Sequence, residues 1–343
     1  MRKYSSADKI SVGVVGYGGA FNMARAHLEQ ARAAGMVPTA VAEIDAARRE
    51  VARKDFPGIE VYRNAAEMYR KSNVRLVSII TPHYTHAKLA VQALNAGRHV
   101  VTEKPMALTT AECDRMIAVA KRNRCLLSAY HNRHWDGCIM QAVKTIQKGT
   151  IGEVVRICAS IGRHGKPTDT WRGSRSISGG ILYDFGAHFV EYALQILDGE
   201  ISEVSGFAHH GAWAATSPWG ADANEDDAFA LVRFSSGQHL ALNVTSLDSN
   251  ASPYWLEITG TRGSYLFNGE IFEQVLPKGT GVQRTTGRNP QGDWKAYYRN
   301  IADFLTKKAP LVITAEWARR PIHVLDLAIR SAKAGKTLKA RYG

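Results

Sequence analysis

Lys104, Asp184 and His188 are the side chains whose neighbours in this sequence best suit them to move a proton. Lys104 stands in Glu103-Lys104-Pro105, directly after His99 to Thr102, a run of buried-strand character. A lysine in a turn is more often a surface charge. At a strand end, with a proline fixing the next residue and Glu103 to hold the ammonium, it can hydrogen-bond a hydroxyl and favour its deprotonation. Asp184 and His188 lie four apart within residues 178 to 197, "SGGILYDFGAHFVEYALQIL", and so share one face of a helix. An exposed Asp–His pair at this spacing is ordinary. Here Ile181, Leu182, Phe185, Phe189 and Leu194 surround it, and histidine is the side chain best matched to proton transfer near neutrality. No third ligand is evident by spacing, and no metal is expected.

A second group points to a nucleotide. Gly16, Gly18 and Gly19 follow the apolar run 10 to 15, and Ala20-Phe21 lead into a helix expected from about Met23 to Ala34. Glycines after a strand let the backbone approach a pyrophosphate, which the following helix N-terminus stabilises. Phe21 stands where the third glycine of the usual fingerprint would be. Glu43 ends the next strand, with Asp45 just beyond, and a carboxylate there can hold the adenosine ribose hydroxyls. Glu43-Ile44, with no immediate arginine or serine, favours NAD over NADP, a preference that Arg48 tempers. Two further stretches, 130 to 137 (with Asn132, Arg133 and Trp135) and 169 to 173 (with Trp171 and Arg172), mix aromatic, cationic and amide groups as sugar or polyol pockets do.

Strands and helices alternate over the first 130 or so residues to hold these groups. Strands are expected at 10 to 15, 38 to 45, 59 to 62, 76 to 80, 99 to 102 and 125 to 132, with helices between. That alternation implies an α/β doubly wound parallel sheet, with ligands bound past its strand ends, where Thr81-Pro82 and Glu103-Lys104 fall. After a helix around 137 to 148, longer strands follow at 153 to 162, 202 to 210, 227 to 234, 238 to 246 and 254 to 260, interrupted by the helix 181 to 197. Glycine-bearing turns between them imply an α+β second domain with a large, open, mainly antiparallel sheet. The expected domains are 1 to 132 and 133 to 343, with helices at 294 to 306 and 316 to 333 and the C-terminal helix packing back on the first domain.

A net charge of +13 invites a nucleic-acid reading, but the basic residues are dispersed. Their one dense group, Lys333, Lys336, Lys339 and Arg341, comes with no nucleic-acid motif. A basic surface or a field attracting an anionic cofactor is the plainer account. No apolar run approaches the ~18 residues of a membrane span. The start of the chain does not read as a secretory signal, and four scattered cysteines fit a reducing compartment, so a cytoplasmic location is expected.

Taken together, Gly16-Tyr17-Gly18-Gly19, "TPHYTHAKLAVQALNAGRHVVTEKP", "YHNRHW" and "SGGILYDFGAHFVEY" resemble the Gfo/Idh/MocA oxidoreductase family, over nearly the whole chain. The resemblance implies an N-terminal Rossmann domain and a C-terminal domain whose open sheet forms oligomer interfaces, in a homodimer or homotetramer. It implies that Lys104 is the catalytic lysine and that Asp184 and His188 contact the reacting carbinol. It places Thr81, Pro82 and His86 near the cofactor, and Trp171-Arg172 near nicotinamide and substrate. The function so implied is hydride transfer between NAD and a secondary alcohol of a sugar, cyclitol or glycoside. Two alternatives stand beside it: a glycoside hydrolase or lyase that recycles tightly bound NAD, with His131 or His134 as an extra acid–base group, and a non-catalytic sensor. His83, where Asn is common, "HNRHW" and Phe21 depart from the family pattern and bear on the substrate.

Overall fold

Short, buried strands alternating with helices build the first of two units in the computed structural model, which describes residues 3–19 and 22–340. Ala20, Phe21 and Arg341 lie outside the described residues. The first unit comprises residues 1–132 and 295–319, the second 133–294 and 320–343.

In the first unit the chain runs β1 (Ser11–Val15), α1 (Met23–Ala33), β2 (Val37–Ala42), α2 (Ala46–Asp55), β3 (Glu60–Tyr62) and α3 (Ala65–Lys71). It continues through β4 (Leu76–Ile79), α4 (His86–Asn95), β5 (His99–Thr102), α5 (Thr110–Arg122) and β6 (Leu127–Ala129). The strands form a parallel sheet of order β3-β2-β1-β4-β5-β6, in which the strand order reverses between β1 and β4, the place where such sheets bind ligands. Caps set the helix starts: Asp45 accepts from the Arg48 amide, and Thr109 and Glu112 make a capping box on α5. β6 is shorter than the sequence suggested, because the backbone turns at residues 132 to 135 into a single helical turn.

The second unit holds α6 (Gly137–Gln147), β7 (Val154–Gly162), α7 (Arg175–Ser178) and α8 (Leu182–Leu194). β8 (Ile201–His209), β9 (Asp227–Phe234), β10 (His239–Thr245), β11 (Leu256–Gly260), β12 (Gly263–Phe267), β13 (Ile271–Lys278) and β14 (Gly281–Arg288) follow. α9 (Ala296–Lys307) belongs to the first unit, α10 (Ala315–Ala334) begins in the first and ends in the second, and β15 (Leu338–Lys339) closes the chain. The nine-stranded sheet has the order β14-β13-β12-β11-β7-β10-β9-β8-β15 and is antiparallel except at β7–β10. Alternate residues of β9 and β10 are buried, and α8 packs on β7 and β10. The β13–β14 hairpin was not legible in the sequence, since β14, "GVQRTTGR", is exposed along nearly its whole length and carries no apolar alternation.

Candidate active site

In the first unit the glycine loop is built for close backbone approach. Gly16 has φ +93°, and a Cβ there would lie 2.2 Å from the Ile80 carbonyl oxygen at the end of β4. Gly18 is exposed, with nothing within 4 Å of a Cβ position. This cradle, a helix N-terminus after it and a carboxylate on the next strand fit a dinucleotide. Glu43 is buried and immobilised: it accepts from the Tyr17 amide, and from the Asp45 amide at 2.9 Å. Arg48 donates to the carbonyls of Tyr17 (2.9 Å) and Gly18 (3.3 Å), so its guanidinium lies along the loop. Ile44, by contrast, is exposed.

At the carboxyl ends of β4 and β5 the turns are tied together. Thr85 donates to the Pro82 carbonyl at 2.7 Å, and its hydroxyl lies 2.5 Å from that of Thr81. His86 is fully buried between two carbonyls, its Nδ1 2.8 Å from Pro105 O and its Nε2 2.8 Å from Thr81 O. Burial lowers its pKa against the pull of both carbonyls. Its contacts are those of a clasp between the two turns. Lys104, half-buried and followed by a cis bond to Pro105, donates its amide to Glu103 Oε2 at 2.9 Å. Burial raises Glu103, but the hydrogen bond from His27, together with Lys104, outweighs it and holds the carboxyl below the usual carboxylate range.

In the second unit, Asp184 and His188 occur on α8 as the spacing implied, Asp184 in its first turn with 43% of its side chain exposed and His188 buried. Arg172 Nε lies 4.0 Å from Asp184 Oδ2, and its guanidinium stacks 4.6 Å from the Trp171 ring centre. Arg172, Trp171 and Asp184 thus form one local group. What holds it comes from a segment further along the chain. Asn224 Nδ2 donates to the Arg172 carbonyl at 2.7 Å, and the Asn224 amide donates to Gly173 O at 2.9 Å. Glu225 Oε2 accepts the Ile181 amide at 2.8 Å, just before α8, and beside it Gly180 has φ +110°, a backbone conformation that favours glycine. Asp222 accepts from Ser176.

The stretch 132 to 135 divides in its contacts. Asn132 is buried at the end of the first unit. Arg133 in the second unit pairs with Asp136 at 3.1 Å and stacks between Trp255 and Trp294, each 5.6 Å from its guanidinium carbon. Asp136 also accepts from Tyr192 and Trp294, so Arg133 is embedded in a packed cluster. Trp135 sits edge-on to His134, whose Nδ1 is 2.6 Å from the buried Glu191 carboxylate. Among the described residues no cluster of His, Cys, Asp and Glu is arranged to hold a metal ion. Nor is any helix of the described residues long and apolar enough to cross a membrane.

Residues 10–131 match the oxidoreductase family with an NAD-binding Rossmann fold, GFO_IDH_MocA, and residues 139–266 match the GFO/IDH/MocA C-terminal domain. The chain belongs to the Gfo/Idh/MocA oxidoreductase family. Its first unit is the NAD(P)-binding Rossmann domain of that family. An uncharacterized oxidoreductase of Escherichia coli (strain K12), YdgJ, is 28% identical, covering 97% of this chain and 99% of that protein. scyllo-Inositol 2-dehydrogenase (NADP(+)) of Bacillus subtilis (strain 168) is 25% identical, covering 96% of each. The structure of a levoglucosan dehydrogenase in complex with NADH and levoglucosan has the same fold, with a TM-score of 0.83 at 20% identity over 97% of this chain and 100% of that one.

Proposed function

We propose that this family member is an NAD-dependent dehydrogenase acting on a secondary alcohol of a sugar, cyclitol or glycoside. The observation that carries the reading is Lys104, half-buried at the carboxyl end of a parallel strand beside a carboxylate held ionised. A lysine so placed can hydrogen-bond an alcohol oxygen on which negative charge develops. His188 on α8 takes the hydroxyl proton, and Asp184, with Arg172 nearby, orients the hydroxyl or the imidazole. NAD, when bound, supplies the hydride acceptor, and Gly16, Gly18, Gly19 and Glu43 are the residues of the described chain that would hold it. Thr81 and Pro82 line the same end of the sheet, and Trp171 and Arg172 complete the substrate side. The inositol and levoglucosan activities named for relatives support a polyol or sugar substrate. A homodimer or homotetramer in the cytoplasm is the accompanying proposal. NADH formation across a panel of polyols, aldoses and glycosides, with bound cofactor measured first, tests the reading, and no turnover of any of them would overturn it.

One contact favours a second reading, an NAD-recycling hydrolase or lyase. His134 is partly exposed and backed by the buried Glu191 carboxylate, an arrangement suited to a second acid–base group. Co-purifying NAD and aglycone release without net NADH would select it.

A further inference from the structure

Glu103 does not face Lys104 alone. His27 on α1 is fully buried, and both its ring nitrogens go to side chains: Nε2 to Glu103 Oε1 at 3.0 Å, Nδ1 to the Tyr298 hydroxyl at 2.6 Å. Tyr298, on α9, in turn meets the Ser78 hydroxyl on β4 at 2.7 Å. A core histidine needs only to be satisfied, and a backbone carbonyl would do that. This one is aimed at the carboxylate whose second oxygen receives the Lys104 amide. With neutral imidazole the directions are consistent along the line. Ser78 donates to Tyr298, Tyr298 to His27 Nδ1, and His27 Nε2–H to Glu103.

We propose that His27 is a positioning residue for the reaction: it fixes the Glu103 carboxylate against the Lys104 turn, and α9, through Tyr298, fixes the imidazole. The inference rests on the dehydrogenase reading for its kinetic consequence. His27, Tyr298 and Ser78 are fully buried, so this line of hydrogen bonds leads into the core and not to solvent. It therefore holds a charge in place and does not carry protons away. The groups facing Glu103 are His27 from α1, Tyr297 and Tyr298 from α9, Tyr130 after β6, His86 from α4, and Lys104 itself. Burial raises all four of the tyrosine and Glu103-type acids in this pocket, so the tyrosines stay neutral near pH 7 and His27 and Lys104 are the groups that keep Glu103 ionised.

The test compares wild type, His27→Leu, His27→Gln and Tyr298→Phe, with NADH binding measured for each. Leu removes the donor, whereas Gln can return an N–H near the position of Nε2. His27→Leu is expected to lower kcat about tenfold or more and to move the acid limb of the pH profile up by about one unit, with NADH affinity little changed. His27→Gln should recover most of both, and Tyr298→Phe should shift the limb the same way but less. If His27→Leu keeps the wild-type kcat and acid limb, or His27→Gln is no better than Leu, the proposal is overturned. A second arm needs no substrate, and so separates this inference from the dehydrogenase reading. Glu103 has a depressed folded-state pKa, so its stabilisation is present above the ordinary carboxylate range and is lost as pH falls through the folded value. The melting-temperature gap between wild type and His27→Leu should be widest near pH 7 and close in acid. A gap independent of pH would overturn the proposal even if turnover were found, and it serves equally where Leu is too unstable for kinetics, with Tyr298→Phe in its place.

Discussion

Glu43 should make the protein choose NADH over NADPH, and the size of the effect follows from how firmly the carboxylate is held. Two backbone amides, those of Tyr17 and Asp45, bind its two oxygens, so it cannot swing away from an incoming 2′-phosphate as a surface glutamate would. At a contact distance of about 4 Å and an effective dielectric near 20, each phosphate charge would meet about 4 kcal/mol of repulsion. Arg48 opposes this, but its guanidinium is already engaged with the Tyr17 and Gly18 carbonyls. A 2′-phosphate carries about two such charges near pH 7, so if Arg48 offsets half of the repulsion about 4 kcal/mol remains, or on the order of 10³-fold in Kd. Fluorescence titration with NADH and NADPH reads the ratio directly. Glu43→Gln keeps the shape but removes the charge, and should bring the two affinities to within about threefold. Tighter binding of NADPH by the wild type, or an unchanged ratio in Glu43→Gln, would refute the reasoning.

Asp136→Ala removes the common acceptor of Arg133, Tyr192 and Trp294. Because Arg133 keeps 24% of its side chain exposed, the loss is expected at about 2–3 kcal/mol, below that of a fully buried pair, and urea unfolding measures it. Burial pushes the Cys138 thiol up to about 11, whereas Cys158 is exposed. Iodoacetamide at pH 8 should therefore label Cys158 and spare Cys138, as peptide mapping would show.

What the sequence made legible was what periodicity and spacing encode. The parallel sheet could be read because β4 and β5 are apolar runs that stop at Thr81-Pro82 and Glu103-Lys104, and α8 because its apolar residues surround Asp184 and His188. Contacts between distant segments were not readable. His27 looks like any helix residue until Tyr298, from α9, and Glu103 meet it. Asn224 and Glu225 lie in a polar loop whose composition gives no sign that it braces the Trp171-Arg172 turn and the start of α8. Arg133 is a further case. Its sequence neighbours suggested a sugar pocket, which stands as an expectation, and the rings that stack on it, Trp255 and Trp294, come from far along the chain and could not be read locally.

The central claim is that Lys104 and His188 serve one chemical step, and a double-mutant cycle tests it most directly. Lys104→Ala and His188→Ala should each lower kcat by about 10²–10⁴, leave NADH binding nearly intact, and combine to much less than the product of their separate losses. Near-normal turnover in both single variants, or full multiplicative losses in the double, would contradict it.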